Sequence, residues 1–152
     1  MKKLTPFLLS GILLFGAVAC NNAAKTTSDA PNSTENVGEP PDSGSVQNTQ
    51  KDASSQTREA QRASDERARA DRSNATGGGA PTSDGDLESK VRNELERELP
   101  SSKLAVDAKD GVVTVSGTVT SQDQLPKISA AAKKVQGVKS VNVKATVAQP
   151  KS

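Results

Sequence analysis

The chain has 152 residues with 20 basic and 18 acidic side chains, so its net charge of +2 favours no class of partner by itself. It contains no His, Trp or Tyr, its only aromatic residues are Phe7 and Phe15, and Cys20 is its single cysteine. These counts exclude an ordinary zinc site and an intramolecular disulfide, and they remove the commonest general base. Serine and aspartate without a base partner make no catalytic constellation. The chain therefore reads as a non-enzyme that uses no metal and no cofactor.

Lys2 and Lys3 open a positive N-terminal region, Leu4–Gly16 is mostly apolar, and Ala17-Val18-Ala19 are small. This is the layout of a secretory signal over residues 1–19. The apolar stretch is shorter than the roughly 20 residues a membrane span requires. Ala17-Val18-Ala19-Cys20 resembles the bacterial lipobox, departing from it at Ala17, where Leu is usual. The resemblance implies that Cys20 is diacylated and becomes the first residue of the mature protein. Asn21 leaves no acidic residue directly after Cys20. By analogy with bacterial sorting, this implies a lipid-anchored protein facing the periplasm, at the outer rather than the inner membrane.

From Asn21 to Asp84 the chain carries Ser, Thr, Asn, Asp, Gly, Pro and Gln, with Val37 and Val46 but no Leu, Ile or Phe. So little apolar surface cannot offset the entropy of ordering. Residues 20–84 are thus expected to be the lipidated cysteine followed by a long disordered tether, spanning on the order of 45 Å as a flexible coil. Thr57–Arg72 differs, being rich in Ala, Arg and Glu. It is expected to form an exposed helix, supported by the pairs Asp65–Arg69, Arg62–Glu66 and Arg67–Asp71. Gly77-Gly78-Gly79 and Pro81 end it in a hinge.

A helix is expected next, capped by Asp84 or Asp86, with Leu87, Val91, Leu95 and Leu99 as its apolar stripe and Glu88–Arg92 as an exposed pair. Pro100 stops it. Leu104 and Val106 alternate with polar neighbours, and Val113, Val115, Gly117 and Val119 do the same after Asp110-Gly111, so the two runs predict a β-hairpin. Asp107 and Asp110 are explained by the turn, while Gly117 marks a close approach. Ser121 with Gln124 forms a capping-box pattern ahead of a second helix. Its apolar stripe is Leu125, Ile128, Ala131, Ala132 and Val135, and Pro126 makes either its start irregular or itself the first helical residue. Gly137 is expected as its C′ residue. Val138, Val141, Val143, Ala145 and Val147 supply a third strand, parallel to its partner. The expected fold is α+β: a small α-β-β-α-β sandwich over residues 85–148, a three-stranded mixed sheet with two helices on one face, and a tail at 149–152.

Three stretches of that domain together resemble a BON domain. They are Leu87-x3-Val91-x3-Leu95, Asp110-Gly111-x-Val113-x-Val115-x-Gly117-x-Val119, and Val135-x-Gly137-Val138-x2-Val141-x-Val143. The chain shows a single copy. The resemblance implies an envelope protein that binds phospholipid surfaces and supports envelope integrity or stress tolerance, with no shared catalytic residues. The candidate anionic lipid contacts are Lys127 and Lys134 on the second helix, with Lys139 and Lys144 beside the third strand. Without aromatic anchors, such binding is electrostatic and salt-sensitive. The alternative is a protein-interaction or scaffolding module of the periplasm, with an exposed sheet edge accepting a strand from an envelope protein. Export and the lack of aromatics argue against nucleic acid.

Overall fold

The computed structural model describes residues 23–75 and 82–149. The signal region, Cys20, the Gly77–Gly79 hinge, Pro81 and Pro150 lie outside the described residues. The element order is β1 (Ala24–Lys25), α1 (Ser43–Ala53), α2 (Gln56–Ala75), α3 (Asp84–Glu98), β2 (Lys103–Lys109), β3 (Val112–Val119), α4 (Gln124–Lys134), β4 (Ser140–Val143) and β5 (Thr146–Val147).

The centre is the β2–β3 hairpin. Asp110 and Gly111 connect the strands with φ of 53° and 86°, the two positive values that a tight hairpin turn with matching twist needs. The register pairs Val106 with Val115 and Ala108 with Val113. These side chains share one face, and all are buried. Leu87, Val91, Leu95 and Leu99 of α3 and Ile128, Ala131 and Ala132 of α4 complete the same core, with Leu125, Val135, Val138, Val141, Ala145 and Val147 packed at its margin. Gly117 lies opposite Leu104, where an added Cβ would fall 2.0 Å from the Lys103 carbonyl oxygen. The close approach there comes from the neighbouring strand's backbone.

β4 and β5 both pair with β3 in parallel. The expected third strand is therefore two short ones, interrupted at residues 144–145, where the Lys144 amide still donates to the Val115 carbonyl at 2.8 Å. The N-cap of α3 is Ser83, whose hydroxyl accepts from the Asp86 amide at 3.1 Å. Neither Asp84 nor Asp86 caps the helix, because Ser83 has the extended backbone the cap position requires. α4 begins at Gln124, so Pro126 falls in the first turn, where a missing amide costs no helical bond. Gln124 reaches back to the Thr120 amide at 2.9 Å rather than forming a box with Ser121. The helix closes at Val135, which puts Gly137 one residue beyond C′, with φ of 104°.

The largest departure lies upstream. The expected disorder of Asn21–Asp84 does not describe residues 23–75, which hold two helices and a strand. Ala24 and Lys25 pair antiparallel with Val106 and Ala105 on the outer edge of β2, giving the sheet order β1-β2-β3-β4 with β5 beside β3. Hydrogen bonds supply what apolar side chains do not. The Thr26 amide donates to the Leu104 carbonyl at 2.9 Å, and the Thr26 hydroxyl accepts from the Leu104 amide at 2.9 Å and donates to the Ser102 carbonyl at 3.1 Å. On the sheet face away from α3 and α4, Ala105, Ser116 and Thr118 are buried, and the Ser116 hydroxyl donates to the Asn36 carbonyl.

Candidate functional site

The lysines singled out by their sequence positions divide into two groups. Lys134 is tied to α3, with its Nζ 2.6 Å from Glu98 Oε1 and 3.7 Å from Glu94 Oε1. The hydrogen bond to Glu98 raises the Lys134 pKa above the usual lysine value, and the same bond lowers that of Glu98. Lys134 thus clasps α4 to α3 and is not a free cation. Lys127, Lys139 and Lys144 are exposed and make no ion pair among the described residues.

Lys139 and Lys144 bracket β4, the strand that ends the sheet opposite β1. The backbone holds both in place. The Lys139 amide donates to the Gly111 carbonyl and the Lys144 amide to the Val115 carbonyl, each at 2.8 Å. Between them lies Val143, exposed at 38% although its register partner Val115 is fully buried. A solvent-facing valine beside unpaired lysines gives this margin an amphipathic character. Periodicity could not single out Val143, because it continues the same apolar alternation as the buried valines.

The opposite margin is closed. β1 and Thr26 cover β2 from Leu104 to Val106. Farther along, the Ala108 amide donates to Glu88 Oε1 at 3.1 Å and the Asp110 amide to Asp84 Oδ1 at 2.9 Å. Glu88 is therefore half-buried against the hairpin and not in an exposed pair with Arg92. Burial pushes its carboxyl pKa up, with Asp107 and Asp84 adding repulsion and the Ala108 hydrogen bond opposing the rise. These contacts leave the outer edge of β2 closed to a partner strand, whereas β4 remains a free edge.

α2 spans the stretch where an exposed helix was expected, and none of its residues is buried. Its charges nonetheless run to other helices. Glu96 of α3, only 3% exposed, has Arg62 at 3.6 Å, Arg92 at 3.7 Å and Arg58 at 4.0 Å. Burial raises the Glu96 pKa and the three guanidinium groups oppose that rise. Asp65 meets Arg92, and Glu66 meets Arg97, both at 3.7 Å. The expected pairings of Asp65 with Arg69 and of Glu66 with Arg62 give way to contacts across helices. An open cleft of about 570 Å³ lies near α1, lined by polar groups including Ser28, Asp29, Asp42, Asn48 and Asp52. Among the described residues no three His, Cys, Asp or Glu side chains converge as a metal site, and no helix is long and apolar enough to cross a membrane.

The family model for the BON domain matches residues 83–149. The chain carries one BON domain. Its match takes in α3, the hairpin, α4, β4 and β5, and excludes β1, α1 and α2. No curated protein matches the chain. The BON domain is a binding module and not an enzyme family, is found in bacterial envelope and periplasmic proteins, and is associated with phospholipid binding.

Proposed function

We propose that this protein is an acyl-anchored envelope protein, joined to the membrane through Cys20, whose BON domain binds anionic phospholipid surfaces and supports envelope integrity or stress tolerance. The outer membrane is the favoured site. The observation that carries the binding surface is the set Lys127, Lys139 and Lys144, exposed and without carboxylate partners, together with the exposed Val143. A lysine near an anionic membrane contributes about 1 kcal/mol, so three acting together are worth on the order of a hundredfold in affinity. The domain has no aromatic side chain to insert, so binding weakens as salt rises.

The test is vesicle co-sedimentation of the mature-length chain carrying Cys20→Ser, with phosphatidylglycerol and phosphatidylcholine vesicles at low salt. Preferential binding to the anionic vesicles is expected. A Lys127→Gln, Lys139→Gln, Lys144→Gln variant should lose most of it, and Lys134→Gln should lose little. Equal binding to both vesicle types, or none to either, overturns the lipid-surface reading. In that case the free β4 edge favours the scaffolding role, which crosslinking to a defined envelope protein in lipid-free extract would support.

A further inference from the structure

We propose that residues 23–42 form a strap that holds the BON domain close to its anchoring membrane. The inference rests on the acyl-anchor reading of Cys20. A disordered chain from Asn21 to Asp84 would let the domain wander on the order of 45 Å from its anchor. Instead, Ala23 is already buried in the fold, at 7% exposed. Only Asn21 and Asn22 lie between Cys20 and Ala23, and the three Cα–Cα steps from Cys20 to Ala23 reach at most roughly 11 Å.

The strap is attached along its length. β1 pairs with β2 at Val106 and Ala105. Thr26, 3% exposed, bonds through its amide and hydroxyl to Leu104. Asp29 lies 3.7 Å from Lys103 Nζ, and the Asn36 carbonyl accepts from Ser116 on the far face of the sheet. All of this lies outside the residues that match the family, so the strap is an addition of this chain to the BON domain.

A short attachment changes what the lysines need to do. β4 lies three strand spacings from β1 in the sheet order, about 14 Å. Lys139 and Lys144 are thereby kept within a small volume above the bilayer. Confinement raises the effective lipid concentration they meet and so adds to the affinity that the free domain has for an anionic surface.

The experiment uses the full acylated chain in phosphatidylglycerol–phosphatidylcholine vesicles, with a donor dye on Asn142→Cys and an acceptor dye in the lipid. High salt suppresses the lysine contacts. Intact mass establishes acylation first. High energy transfer is expected for the native chain. A Gly-Ser insertion of about twenty residues between Asn22 and Ala23 leaves the strap intact but lengthens the attachment, and it should cut transfer by about twofold or more. Thr26→Val should also lower transfer by loosening the strap. An acylated chain whose transfer is unchanged by the insertion overturns the strap while leaving the anchor standing. An unacylated chain overturns the anchor, and the strap's role with it.

Discussion

The two halves of the described molecule are held by different forces. Residues 82–149 close around Leu87, Val91, Leu95, Val113, Val115 and Ile128, all buried, and each such side chain contributes about 1.5–3 kcal/mol when removed from water. Residues 23–75 bury Ala23, Ala30 and Pro41 but no Leu, Ile or Val. Their order depends on backbone pairing with β2 and on ion pairs between α2 and α3. An exposed ion pair is worth about 0–1 kcal/mol and is weakened by salt. The comparison teaches that a segment too polar to build a core can still be ordered when a neighbouring domain presents unpaired amides and charges.

The largest effect should come from adding one methyl group inside the hairpin. Gly117 has φ of 130°, and its Cβ would stand 2.0 Å from the Lys103 carbonyl oxygen and 3.0 Å from Leu104 Cα. Neither is the flexible end of a side chain, so relief requires the strands to part. Gly117→Ala should therefore cost more than about 3 kcal/mol, measured by urea unfolding. A loss below about 1 kcal/mol would show that the hairpin is not the rigid centre of the domain.

How much of this was legible follows the same division. The BON domain could be read because each signal is local. Asp110-Gly111 announces the turn, the valine alternation announces the strands, and the spacing from Leu87 to Leu99 announces the helix face. The strap was not legible because its partner is distant. Thr26 bonds to Leu104 across 78 positions and Ser116 to Asn36 across 80, and neither Thr26 nor Asn36 differs in kind from its polar neighbours. Composition correctly showed that the segment lacks a core of its own, but could not show that another core's edge was available. The lysines were visible as positions only. That Lys134 is spent on Glu98 depends on how α3 and α4 pack.

An intermediate effect tests the ionic half of the comparison. The screening length falls from about 10 Å at 0.1 M salt to about 3 Å at 1 M, so the exposed contacts of Asp65 with Arg92 and of Glu66 with Arg97 weaken, while those of the buried Glu96 weaken less. Hydrogen exchange at α2 amides should speed up with salt, while exchange in β2 and β3 changes little. Arg62→Ala removes a contact to Glu96 and two hydrogen bonds to the Ala53 carbonyl, and should speed α2 exchange even at low salt. Equal protection of α2 at both salt levels would mean that something other than charge holds it.

The smallest effect concerns α3, which serves both halves, with Glu96 facing α2 and Glu88 sealing the edge of β2. Burial is the leading cause of the raised Glu88 pKa. The folded state therefore binds the Glu88 proton more tightly than the unfolded chain, whose value is 4.5. Its contribution to stability is present in full below pH 4.5 and is lost as pH rises through the raised folded value. At neutral pH the charge is a net cost. Glu88→Gln keeps an acceptor for the Ala108 amide and removes that cost. It should raise the neutral-pH melting point slightly, by less than about 1 kcal/mol of stability, and flatten this part of the pH profile. Asp86, lowered first by its Ser83 hydrogen bond, and Glu98, lowered by Lys134, work in the opposite direction. The informative quantity is thus the difference between native and variant melting curves across pH. Glu88→Ala supplies the contrast, since it leaves the Ala108 amide without its acceptor and should cost about 1 kcal/mol. If Gln destabilises the neutral protein as much as Ala does, the carboxylate charge itself holds the β2 edge, and that edge belongs with the ionic half of the molecule.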